Sequence, residues 1–336
     1  MLVPQHIQRE TSSPLLASKN AVSKIAIDLP LKIRIYKQNC QTEPVPRSPF
    51  VPASEDPGIT GVATRDAVID RDTGVAARLF LPTTAVATGR RLPLVVFFHG
   101  GGEESAFCLK YHRYATALAA RAGALVVSVE HRRVSPEHAA WAALRWAAAS
   151  SADPWLLYHG DRRRTFLAGD GAGTSVACRA AVRARQAGEE GVDVEGMLLV
   201  DPYFGEREWW IASEKAGHGG LLSPAENAPL PCRRALVVVV VAGKGAAAWE
   251  RGRRLAASVR GGCWWGSEVT VVELHGEGHG FHHLYGPASA GAERLMESIM
   301  EFVNRKDGGQ GSSLANGPCK VVSAEAPRRA VTKSCL

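Results

Sequence analysis

The sequence predicts an α/β fold: a mostly parallel central sheet with helices on both faces. Three observations carry this. From about residue 94 onward, short runs rich in Val, Leu and Phe alternate with segments in which Ala, Leu and Arg recur at helical spacing. The runs are apolar throughout rather than at every second residue, as suits parallel strands covered on both faces. The composition, 46% apolar and 22% charged over 336 residues, is that of a globular chain long enough to bury a large core.

Each element follows in order. Residues 67–70 and 75–81 flank Asp72-Thr73-Gly74, a turn sequence, so an antiparallel hairpin is expected on the sheet edge. Strands are expected at 94–98, 124–129, 165–167, 196–200, 235–242 and 269–274. Helices are expected at 111–121, 139–149, 173–186, 249–259 and 290–304. Residues 1–24 read as a flexible extension, 25–305 as one domain, and 306–336, dominated by Gly, Ser, Asn, Pro and Lys without a period, as a disordered basic tail.

Composition excludes several classes of function. The longest apolar run, residues 235–242, is far below the roughly 20 residues that a membrane span needs. Net charge is +7, but residues 1–24 hold three basic and one acidic side chains and residues 306–336 hold five and two, so +5 lies outside 25–305. No basic stripe marks the domain, and no nucleic-acid partner is expected. Seven cysteines without CxxC or Cys/His ligand spacing argue against a disulfide framework and a zinc site. They read as reduced thiols in a cytoplasmic or nuclear chain, and no apolar run after a basic start suggests a secretory signal.

Three motifs carry chemistry. Leu94-Val-Val-Phe-Phe-His99-Gly100-Gly101-Gly102 is an apolar strand entering a His and three glycines, whose exposed N–H groups suit an oxyanion hole as well as a plain glycine turn. Thr165-Phe-Leu-Ala-Gly169-Asp170-Gly171-Ala172-Gly173-Thr174 has the strand, tight turn and helix of a nucleophile elbow, but with Gly171 at the apex it lacks an attacking hydroxyl. Glu273-Leu-His275-Gly276-Glu277-Gly278-His279-Gly280-Phe281-His282-His283 places a loop His where a general base would stand in chain order. Its four histidines also suggest metal binding. No acidic or Cys cluster accompanies them in the sequence, so neither metal nor other cofactor is expected.

Together these motifs resemble the plant carboxylesterase branch of the hormone-sensitive-lipase-like α/β-hydrolases, a group that also contains gibberellin receptors and hydroxyisoflavanone dehydratases. The likeness extends through Leu31-Lys-Ile-Arg-Ile-Tyr36, Gly74-Val-Ala-Ala-Arg-Leu-Phe-Leu-Pro82, Pro136-Glu137-His138, Asp153-Pro-Trp155 and Asp201-Pro-Tyr-Phe-Gly205. It implies an α/β-hydrolase domain over 25–305, a Ser–Asp–His triad, and an oxyanion hole drawn from His99, Gly100, Gly101, Gly102 and Ala172.

The chain departs from that pattern. His279 matches the base, but Gly171 stands where the family has its serine and Gly245 where it has its Asp. Asp201 and Glu250 are substitute acids by position. Glu103-Glu104 follow the glycines where the family has an aromatic or small residue, and both side chains are expected to face outward. The segments near residue 139 and over 206–231 are short for the family, leaving a reduced cap over the pocket. The reading is therefore a carboxylesterase-like hydrolase with weak or no activity, whose ligand is a small hydrophobic ester or a hormone-like molecule. The alternatives are a non-catalytic binder similar to the gibberellin receptors, or a decayed copy or incorrectly assembled gene.

Overall fold

The computed structural model describes residues 25–29, 33–36, 42–44, 47–100, 104–131, 135–148, 153–187, 192–202, 232–241, 268–278, 280–284, 289–305 and 320–324. They divide into two units, Met1–Arg47 and Ser48–Leu336. In the first, β1 (Ile25–Leu29), β2 (Ile33–Tyr36) and β3 (Thr42–Pro44) form an antiparallel sheet of their own in that order. The larger compact unit starts at Ser48.

The second unit opens with the hairpin β4 (Val62–Asp70) and β5 (Val75–Pro82), then α1 (Thr83–Thr88) and β6 (Leu92–Phe98). Next come α2 (Leu109–Ala122), β7 (Leu125–Glu130), α3 (Pro136–Ala148) and α4 (Pro154–His159). After them lie β8 (Gly160–Asp170), α5 (Gly173–Gln186), β9 (Gly196–Val200) and β10 (Arg234–Val241). The last are β11 (Glu268–His275), α6 (Phe281–Leu284), α7 (Ala290–Asn304) and β12 (Lys320–Ala324). Among the described residues nine strands form one sheet in the order β12-β11-β10-β9-β8-β6-β7-β5-β4. Pairing is parallel from β12 to β7 and antiparallel from β7 through β5 to β4, so the hairpin closes one edge as expected.

The continuous apolar runs follow from burial on both faces. In β6, Leu94, Val96 and Phe98 pack on one side with Ala139, Ala143 and Leu144 of α3 and Ala177 and Ala181 of α5. Val95 and Phe97 face the other side, among Tyr111, Tyr114 and Leu118 of α2 and Leu295 and Ile299 of α7. Each fully buried Leu, Val or Phe contributes about 1.5–3 kcal/mol relative to exposure. Local signals set the helix ends. The Asp153 carboxylate accepts from Trp155 N at 2.8 Å and Pro154 opens α4, while Ser289 Oγ accepts from Ala292 N at 3.0 Å to start α7.

The structure differs from the sequence reading in places. β8 runs to Gly160, well before residue 165, because Leu92 and Pro93 pair with Gly160 and Asp161 ahead of the polar Arg162–Arg164 stretch. Lys320–Ala324, read on composition as tail, pairs in parallel with Thr270–Leu274 of β11. The helix expected at 249–259 and the cap segment 206–231 lie outside the described residues, as do residues 1–24 and most of the tail.

Candidate active site

The C-terminal ends of β6, β8 and β9, adjacent in the sheet, carry the residues the motifs pointed to. In open α/β sheets this is the edge at which ligands bind. β8 ends at Asp170, the chain reverses at Gly171, and α5 begins at Gly173. Gly171 has φ +49°, in the left-handed region, and its N–H donates to Val200 O at 3.0 Å. The turn is packed so tightly that side chains are excluded on both flanks. A Cβ on Gly169 would stand 2.4 Å from Gly173 O, and one on Gly173 2.0 Å from Phe98 O. The Thr174 hydroxyl, fully buried, donates to Gly171 O at 2.6 Å and is thereby turned away from the open side. Among the described residues nothing accepts from the Ala172 N–H ahead of the helix.

The loop after β6 is anchored from below. Gly100 N–H donates to Asp170 Oδ1 at 2.6 Å, and Gly100 O accepts from Tyr111 Oη at 2.9 Å and from His99 Nδ1 at 2.9 Å. Gly100, grouped by its motif with the oxyanion residues, therefore gives its N–H to a carboxylate. A side chain at Gly100 would bring its Cβ 2.7 Å from Asp170 O. The His99 ring stacks on His131 at 4.3 Å between centroids, and His131 Nε2 donates to His99 O at 3.1 Å. Burial, and then the neighbouring His131, push His99 down to about 4, so it is neutral at pH 7. Burial likewise pushes the Tyr111 phenol well above its usual range, keeping it a hydrogen donor.

Behind this loop lies a cluster that sequence reasoning missed. Asp170 Oδ2 accepts from His283 Nε2 at 2.6 Å, and His282 Nε2 stands 3.6 Å away. The three side chains are 6%, 2% and 1% exposed in the order Asp170, His282, His283. Tyr111 and Tyr114 meet the His283 ring edge-on at 4.8 and 5.1 Å, and Tyr114 meets His282 at 5.1 Å. Burial opposes ionisation of Asp170, but His283 and His282 outweigh it and hold the carboxyl well below its usual range. Burial, then His282, push His283 down to about 3, so a neutral imidazole donates to the carboxylate. The histidine-rich segment was visible in the sequence, and so was a charged residue closing the buried stretch 166–169 of β8. Its partners lie 113 residues on, which no local pattern reveals.

Asp201 follows β9 beside the elbow, 8% exposed, with its N–H donated to Val238 O at 2.8 Å. It is the only non-glycine with positive φ (45°) among the described residues, a conformation Asp tolerates better than most. His279 lies outside the described residues, between Gly278 and Gly280, as do Gly101, Gly102, Glu103, Gly245 and Glu250. Gly278 O accepts from Phe281 N at 3.1 Å and Gly280 O from His283 N at 2.9 Å, so the motif's loop leads directly into α6.

The comparisons with known proteins agree with this fold. Residues 95–224 match the alpha/beta hydrolase fold family. The chain is 34% identical over 323 residues to probable carboxylesterase 1 of Arabidopsis thaliana, covering 84% of this chain and 99% of that protein. It is 32% identical over 330 residues to 2-hydroxyisoflavanone dehydratase of Glycyrrhiza echinata, covering 85% and 98%. An esterase of Pyrobaculum calidifontis superposes with a TM-score of 0.53 at 23% identity, over 71% of this chain and 84% of that one, and so shares its fold. With a parallel sheet, a glycine-bound elbow and relatives matched over nearly their whole length, this chain belongs to the plant carboxylesterase family of α/β-hydrolases.

Proposed function

We propose that this protein keeps the family's ligand-binding scaffold and has lost covalent ester hydrolysis. The observation that carries the reading is Gly171: the apex of the elbow has φ +49° and no side chain. Thr174, the nearest hydroxyl in the turn, is committed to Gly171 O and cannot replace a nucleophile. Gly245 at the acid position removes the second member of the triad, leaving His279 as the base with Asp201 as the substitute acid. In a triad enzyme, loss of the serine costs about a million-fold in turnover and leaves about a thousand-fold over water from the oxyanion hole and binding.

The oxyanion donors in this reading are the N–H groups of Gly101, Gly102 and Ala172, with His99 and Gly100 holding the loop that presents them. The ligand is a small apolar ester or a hormone-like acid held at the C-terminal edge of the sheet, and the compartment is the cytoplasm, where free thiols such as Cys108 and Cys178 stay reduced. A second reading is elimination, favoured by the 32% identity to a dehydratase. Removing water from a ligand needs a base and stabilisation of the developing enolate, not a covalent nucleophile.

Hydrolysis of p-nitrophenyl acetate tests the loss. Turnover by the native chain is expected to equal that of His279→Ala, and Gly171→Ser, alone or with Gly245→Asp, is expected to raise it. Native activity clearly above the His279→Ala control would refute the reading.

A further inference from the structure

We propose that Asp170, His282 and His283 form a binding site for a divalent transition-metal ion of the zinc class, held by two imidazole nitrogens and one carboxylate oxygen. The inference does not depend on whether ester hydrolysis is lost. The three residues each offer a ligand atom, and these atoms lie within 4.8 Å of one another. An ion at about 2.0–2.2 Å from each ligand in tetrahedral geometry sets ligand atoms roughly 3.3–3.6 Å apart. His282 Nε2 and Asp170 Oδ2, at 3.6 Å, are too far for a hydrogen bond and near that ligand spacing.

Unpartnered groups supply the second observation. Among the described residues, both ring nitrogens of His282, and Nδ1 of His283, are buried without a hydrogen-bond partner. Buried polar atoms in native proteins are nearly always satisfied by protein, ordered water or an ion, and His282 Nε2 stands 3.6 Å from a buried carboxylate oxygen, beyond hydrogen-bond length. The surroundings also suit a metal. Asp170 Oδ1, the oxygen left over, already accepts from Gly100 N–H, as carboxylate ligands usually do from a second shell. Tyr111 and Tyr114 wall the histidines on their edges. An ion would replace the 2.6 Å hydrogen bond between His283 and Asp170, with the imidazole proton moving from Nε2 to Nδ1, so no proton is lost overall. The acidic partner that the histidine-rich segment lacks in sequence thus comes from the end of β8, one residue before the elbow apex.

The test uses the full chain, stripped with a chelator and then loaded with Zn2+ or Co2+. We expect one equivalent of Zn2+ to survive gel filtration, and a tetrahedral Co2+ absorption band. His282→Gln and His283→Gln are expected to weaken binding at least about 100-fold, since second-shell partners alone are worth about 10–100-fold. His275→Ala, which alters a partly exposed histidine of the same segment, is expected to leave binding intact. X-ray absorption on the zinc-loaded native chain gives a readout independent of how the variants fold, with two imidazoles and oxygen donors expected. Failure to retain zinc, a different donor set, or binding undiminished in both glutamine variants would overturn the proposal.

Discussion

Gly171 occupies a backbone conformation that a side chain adopts only under strain, so restoring a serine there has a cost in stability as well as a gain in chemistry. Its φ of +49° predicts that Gly171→Ser lowers stability by about 1 kcal/mol. Gly173→Ala meets Phe98 O at 2.0 Å, a backbone contact that cannot yield, and is expected to cost about 3 kcal/mol. Urea denaturation of the two variants gives the order, and equal costs would mean that the turn is looser than its contacts imply. At this scale the sequence was informative where chemistry is local. The glycines of the elbow and the missing hydroxyl are visible in one ten-residue motif, whereas the role of Asp170 depends on Gly100, 70 residues before it, and His283, 113 after it.

At the scale of elements, β8 and α2 together hold the loop that follows β6. Asp170 grips the N–H of Gly100 and Tyr111 its carbonyl, so the residue is held on both sides. Tyr111→Phe removes one of two donors to that carbonyl, the other being His99 Nδ1. The expected loss is about 1 kcal/mol, with faster amide exchange at Gly100 and none of that change in β10. Unchanged exchange at Gly100 would show that the phenol does not hold the loop. The strands were legible because their apolar runs are unbroken, and β9 spans Gly196–Val200 as its run predicts. The start of β8 and the strand β12 were not, because strand pairing there recruits segments whose own composition reads as loop.

The whole molecule registers its buried histidines as acid sensitivity. His99 titrates near 6.5 when unfolded and is held to about 4 when folded, so the unfolded chain binds more protons between those values. Stability is therefore expected to fall as pH drops from 6.5 to 4, by on the order of 3 kcal/mol for this group, and His99→Gln to flatten the slope of Tm against pH. A slope unaffected by that substitution would assign the acid sensitivity elsewhere. The fold and family were readable from the whole pattern of runs and motifs, since burial on two faces leaves a signature along the entire chain. The central functional claim, that the scaffold survives without its nucleophile, is tested most directly by treating the native protein and Gly171→Ser with an organophosphate ester and weighing both intact. No adduct is expected on the native chain and a single one on residue 171 of the variant; an adduct on the native chain at Thr174 or Ser175 would mean that a nucleophile survives.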